Sequence, residues 1–248
     1  MIYDIITYNG EEEMFEIRYN ILKNYVDQFI VVEAPTTFKG DPKPIYFNKE
    51  YDKVRLIICE FGKNWELLKH TIKSQITEGK EAFCRAYYQK DWARHVVDIK
   101  DDDIVYFGDI DEIWTPQEVD DRAYKLEQII YSGYLNQRTN EPWTGTVVTR
   151  GKNLCVGLNE LRHYIKLTKP NGGWHFTFQG GAQEIKRKLE SYDHQEFNTN
   201  EIKNNIESNL QQGTDFLNRQ GITQWIDELN WPEYLKNNRD KYKHSLRP

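Results

Sequence analysis

Four short apolar runs restrict the fold of this chain more than any other feature: IYDIITY (2–8), QFIVVEA (28–34), VRLIICEF (54–61) and DIVYF (103–107). Each is β-branched or aromatic and nearly continuous in its apolarity, as strands covered on both faces of a parallel sheet tend to be. Segments of helical spacing separate them. In EEEMFEIRYNILKNYV (11–26), Met14, Phe15, Ile17, Ile21, Leu22 and Tyr25 recur on one face, and helices are expected over roughly 65–78 and 81–99. Strands interleaved with helices predict an α/β fold, a Rossmann-type α/β/α sandwich around a mostly parallel central sheet.

The later residues are less regular. YSGYLNQ (131–137), TGTVVTR (144–150) and GGWHFTFQ (172–179) read as strands, AQEIKRKLESY (182–192) as a helix, and ELRHYIKL (160–167) as either. Polar, Asn-rich helices close the chain from about Asn200. Thr115-Pro116-Gln117-Glu118 sets a capping Thr before Pro, with Glu three residues after the cap, so a helix is expected to begin there. No internal repeat and no Pro/Gly/Ser-rich linker divides the 248 residues, a length suited to one large domain.

Composition removes several classes. A net charge of −6 provides no basic field for a nucleic-acid backbone. Cys59, Cys84 and Cys155 are odd in number and form no CxxC pair, so they read as reduced thiols of a reducing compartment. No apolar run approaches the ~18 residues of a membrane span, and MIYDIITYNGEEEM lacks the basic and apolar regions of a secretion signal. A cytoplasmic location is the resulting expectation.

The chemistry concentrates in GDIDEIW (108–114), directly after the fourth apolar run. Side chains alternate along an extended segment, so Asp109 and Asp111 point to one side while Ile110 packs on the other. Ligands of open parallel sheets bind outside the carboxyl ends of the strands, which is where this cluster falls. Carboxylates held together repel unless a cation joins them, and oxygen ligands suit Mg²⁺ or Mn²⁺ carrying a phosphate ester. A solvated acidic turn is the plainer alternative. The EF-hand offsets are absent. An aspartyl-phosphate phosphatase places its Asp-x-Asp on the first strand of its fold, whereas this one follows the fourth. A nucleotide-sugar transferase joins the parts best. A metal-dependent phosphohydrolase and a non-catalytic nucleotide-sugar or glycan binding module are the alternatives.

Three further stretches complete a resemblance. VVEAPTTFKGDPKPIYF (31–47), FCRAYYQKDWARHVV leading into DDDIVYFGDIDEIW, and GGWHFTF followed by KRKLESYDHQE are together similar to glycosyltransferase family 17, which includes the bisecting N-acetylglucosaminyltransferase of animals. The closing WPEYLKNNRDKYKHSL is similar to the family's close as well, so the resemblance spans nearly the whole chain. It implies a GT-A-like fold and inverting transfer of N-acetylglucosamine from a UDP-sugar donor to a glycan or glycoconjugate acceptor. Residues 1–115 would then form a nucleotide-binding half, and 116–248 an acceptor-side half with C-terminal helices.

The resemblance also assigns residues. Asp109 and Asp111 match the Asp-x-Asp, Glu112 the acidic residue after it, and His175 the Trp-His pair, which gives Asp109, Asp111 and His175 as metal ligands. Glu33, Thr37, Lys39 and Lys43 match positions at and after the second strand, and Lys188 and His194 match the Lys and His after the Trp-His strand; these are candidate donor ligands. Arg85 and Arg94 lie nine residues apart on one helix and so face opposite ways; Arg94 is the preferred donor ligand. Inversion needs a general base, for which Glu112, Glu184 and Asp193 are the candidates. Trp143 and Trp174 are candidates for stacking on sugar faces. The chain departs from the family in carrying Phe176 and Phe178 where cysteines are frequent, and Lys90 where Arg is.

Overall fold

The computed structural model describes residues 1–61 and 81–248, so the helix expected over 65–78 lies outside the described residues. The chain runs β1 (Ile2–Thr7), α1 (Glu12–Leu22), β2 (Gln28–Glu33), β3 (Val54–Ile58), α2 (Glu81–Val96), β4 (Ile104–Asp109), β5 (Glu112–Trp114), β6 (Tyr124–Ser132) and β7 (Gln137–Arg150). It continues with α3 (Leu158–Tyr164), β8 (Thr168–Lys169), β9 (Gly173–Thr177), α4 (Gly181–Ser191), α5 (Asn200–Gln212), β10 (Gln224–Ile226) and α6 (Glu233–Asn237). One sheet has the order β3-β2-β1-β4-β7-β6-β9-β5, with β10 on β7 and β8 on β6. The first four strands are parallel, β7 is antiparallel to β4 and β6, and β9 is parallel to β6.

The continuous apolarity of the early strands has a direct cause: both faces are covered. Phe29, Val31 and Tyr106 enter a core with Phe15, Ile17 and Leu22 of α1. Their neighbours Ile30, Val32, Val105 and Phe107 enter the opposite core with Cys84, Tyr88 and Ala93 of α2. Alternation along each strand thus feeds two layers, and the α/β sandwich follows. A third, smaller core joins Ile185 and Leu189 of α4 to Ile202, Ile206 and Leu210 of α5. Cys59 and Cys84 are buried free thiols and Cys155 is an exposed one; burial pushes the Cys59 thiol up to about 12.

The structure corrects two local expectations. No helix follows GDIDEIW: residues 115–120 form no regular element. Partners across the fold take the groups that a first helical turn would need, since Thr115 N donates to Gly172 O at 3.1 Å and Gln117 N to the Tyr106 hydroxyl at 3.0 Å. Tertiary pairing overrides the capping pattern. YSGYLNQ is not one strand but the end of β6 and a turn into β7. The ambiguous ELRHYIKL falls in the helix α3 and its exit.

A buried cation sets the position of the carboxylate turn. Arg18 lies on the inward face of α1 and is fully buried. Its Nε and Nη2 donate to the two oxygens of Asp4 at 2.7 and 2.6 Å, and its Nη1 donates to the carbonyls of Asp109, Ile110 and Glu112 at 3.2, 3.2 and 2.8 Å. Trp114 Nε1 completes Asp4 at 2.8 Å. The bidentate pair satisfies both charges, and the remaining donors order the turn from behind. Arg18→Met strands Asp4 as a buried unpaired charge, so a loss of about 3–5 kcal/mol in urea unfolding is expected. The double variant Arg18→Met/Asp4→Asn should lose less.

Candidate active site

A cleft of about 480 Å³ opens at the carboxyl ends of β1, β2 and β4, lined among others by Thr7, Asn9, Thr36, Thr37, Asp109 and Asp111. This is the ligand crevice of an open α/β sheet. Three strands assemble its charged wall. Ile110 and Asp111 form the turn between β4 and β5. β5 then pairs with β9, setting Glu112 directly opposite His175, while Phe176 N donates to Asp111 O at 2.8 Å. Asp111 Oδ1 and His175 Nε2 consequently stand 3.5 Å apart.

Three carboxylates meet three cations of the protein itself. Asp109 Oδ1 pairs with Lys90 Nζ at 2.9 Å and its Oδ2 with Arg162 Nη1 at 2.8 Å. Arg162 Nη2 bonds Glu112 Oε1. Lys188 Nζ bonds Asp111 Oδ2 at 2.6 Å. Burial alone would raise the Asp109 pKa, but Arg162 and then Lys90 outweigh it and hold the carboxyl well below the usual carboxylate range. Burial is likewise overcome at Asp111, where Lys188 and His175 hold it well below that range. The same attractions raise Lys188 and Arg162 against burial.

Glu112 is fully enclosed. Besides Arg162, it accepts from Trp143 Nε1 at 3.0 Å and from Asp109 N at 3.1 Å. The glycines around it make the room: a Cβ on Gly108 would meet Glu112 Oε2 at 2.6 Å and Thr146 Oγ1 at 2.8 Å, and one on Gly145 would collide with Glu112 and Trp143. The Trp143 ring in turn packs on the His175 ring, centroids 4.5 Å apart.

The other expected residues divide by place. Lys188, Asp193 and His194 line the cleft, as do Thr37 and Lys43. Thr37 Oγ1 accepts from Gly40 N and Asp41 N at 3.2 and 3.1 Å, shaping its own loop. Lys39 pairs with Asp41. Glu33 is buried and holds Lys43 together with the backbone N–H groups of Tyr46 and Phe47, so its carboxylate anchors the loop. His194 bonds Glu196 at 2.7 Å and packs edge-on against Phe83. Arg94 does not reach the cleft; it pairs with Asp91, whose Oδ1 also accepts Leu158 N. Arg85 is directed to the carbonyls of Phe38 and Lys39. Lys90 is the cation of α2 that lines the cleft among the described residues. Glu184 pairs with Arg187 on an exposed face, and Trp174 Nε1 donates to Asn230 O.

Sequence reasoning missed Lys90 as a site residue, Arg162 and Glu11. Lys90 carried a signal, a lysine in the buried phase of α2 beside Gln89 and Ala93. Arg162 lies four residues after the buried Leu158 and so on the same side of α3. Glu11 lines the cleft, and burial pushes its carboxyl up against the opposing pull of Lys188.

The donor set can be tested for a divalent ion. Both Asp109 oxygens are committed to Lys90 and Arg162, and among the described residues no three His, Cys, Asp or Glu side chains converge as a cation site. Asp111 and His175 remain as a carboxylate and an imidazole of suitable chemistry for Mn²⁺. A two-residue set of this kind fits an ion whose shell a ligand's phosphate oxygens complete. His175 Nδ1 is buried with no hydrogen-bond partner among the described residues.

A family model described as glycosyltransferase family 17 matches residues 1–247. No curated protein and no solved structure matches. No helix among the described residues is long and apolar enough to cross a membrane.

The cluster makes a pH-dependent prediction. A carboxyl whose folded pKa is depressed adds stability that is present above its unfolded value near ~4 and is lost as pH falls through the folded value. Asp109→Asn should therefore cost roughly 1–3 kcal/mol near neutrality. In urea titrations its deficit against the parent should shrink as pH falls below about 4.

Proposed function

The chain belongs to glycosyltransferase family 17, and on that premise we propose that it transfers N-acetylglucosamine, with inversion, from UDP-N-acetylglucosamine to a hydroxyl of a glycan. Family membership makes it a glycosyltransferase with a nucleotide-sugar donor and a glycan acceptor; the particular sugar, the metal dependence and a GT-A arrangement are parts of the proposal. One observation carries the reading: Asp111, His175 and Lys188 converge in a cleft at the carboxyl ends of parallel strands.

In this reading the nucleoside lies toward the ends of β1 and β2, near Asn9, Thr37 and Lys43, and the diphosphate toward Lys188, a compact point charge suited to phosphate. Asp111 and His175 would hold Mn²⁺ or Mg²⁺, which would supply Lewis-acid neutralisation of the diphosphate. Trp143 offers an aromatic surface to a sugar ring, while its indole N–H is committed to Glu112. Asp193 is the base. Glu112 is enclosed by donors and Glu184 pairs away from the cleft, whereas Asp193 lines the cleft with its carboxylate unpaired among the described residues. As the acceptor oxygen bonds to the anomeric carbon, Asp193 takes the hydroxyl proton and the sugar–phosphate bond releases its electron pair to the diphosphate.

The test is release of UDP from a panel of UDP-sugars with and without Mn²⁺. Metal-dependent release from UDP-N-acetylglucosamine is expected; phosphate release from simple phosphomonoesters without UDP release would contradict the reading. Asp193→Asn should lower turnover by roughly 100-fold or more and leave UDP affinity unchanged.

A further inference from the structure

Arg162 pairs with two carboxylates, Asp109 and Glu112. One of them lies behind it: Glu112 is fully buried, while Arg162 lines the cleft with its side chain 14% exposed. A guanidinium carries five N–H donors. Arg162 commits one at Nη1 to Asp109 and one at Nη2 to Glu112, which leaves three without a protein partner among the described residues. Glu112 is locked in turn by Trp143 and Asp109 N, and α3 is tied to α2 through Leu158 N and Asp91. The guanidinium is therefore fixed before any ligand arrives, with its planar fork on the wall that carries Asp111 and His175.

Resting on the donor reading above, we propose that Arg162 is a second cationic ligand of the donor's diphosphate and that Glu112 is its positioning residue. A bidentate fork matches two phosphate oxygens, and donors fixed in advance stabilise charge that develops on the leaving group without reorganising. When the sugar–phosphate bond breaks, its electron pair passes to the terminal phosphate oxygen, within the field of Arg162 and Lys188. Glu112 does not accept the acceptor's proton in this scheme, since its oxygens already hold four donors.

The experiment compares binding of UDP, UMP and uridine by titration calorimetry in the parent, Arg162→Gln, Glu112→Gln, and the double variant Arg162→Met/Glu112→Gln, which avoids stranding a buried carboxylate. Removing a charged hydrogen-bond donor from a phosphate should weaken UDP about tenfold or more. Uridine affinity should stay within about twofold of the parent. Glu112→Gln should weaken UDP less than Arg162→Gln, again without changing uridine. Equal losses for UDP, UMP and uridine, or an unchanged UDP affinity, would overturn the assignment while leaving the donor reading in place. A parent that binds none of the three would overturn the donor reading and this assignment with it.

Discussion

Everything at the charged wall depends on one guanidinium in the interior. A buried ion is costly unless paired and fully hydrogen-bonded, and Arg18 meets both conditions through Asp4 and three carbonyls of the Asp109–Glu112 turn. The turn is thereby held from inside the protein, by α1 and β1, while Asp109 and Asp111 line the cleft. Trp114 closes the arrangement from β5, stacked on Tyr106 at 3.6 Å between ring centroids. The charged wall is thus held through its backbone, and not only through its side chains, by hydrogen bonds to the core.

Clustered carboxylates raise a physical difficulty that this protein resolves with its own cations. Lys90, Arg162 and Lys188 offset Asp109, Asp111 and Glu112. The carboxylates differ in consequence. Glu112 is a fixture, Asp109 holds two cations in place, and Asp111 shares its surroundings with His175. A spacing of two residues sets the aspartates in one cleft, yet the partners assign them different tasks.

Much of the fold was legible because burial on both faces writes itself as unbroken β-branched runs in β1, β2 and β4; these and the end strand β3 fall within the segments expected, to within a few residues. The later elements were harder, since β6 alternates buried and exposed positions and ends in a turn that reads as strand. The pattern at Thr115 was a sound local signal that lost to Gly172 and Tyr106, neither of which is near in sequence. At the site, the carboxylates, His175 and Lys188 were visible as residue types in order. Arg162 was not, because its role depends on α3 packing against α2 and β7, and a segment readable as strand or helix assigns no face. Choosing between Arg85 and Arg94 addressed the wrong pair, because the inward cation of α2 is Lys90.

In the proposed function, the wall fixed by Arg18 receives a sugar nucleotide's diphosphate. A crystal structure with UDP and Mn²⁺ tests it most directly, because manganese can be placed by its anomalous signal. The metal peak is expected against Asp111 and His175, with both phosphates between Lys188 and Arg162. A nucleotide seated elsewhere, or manganese bound away from Asp111, would contradict it.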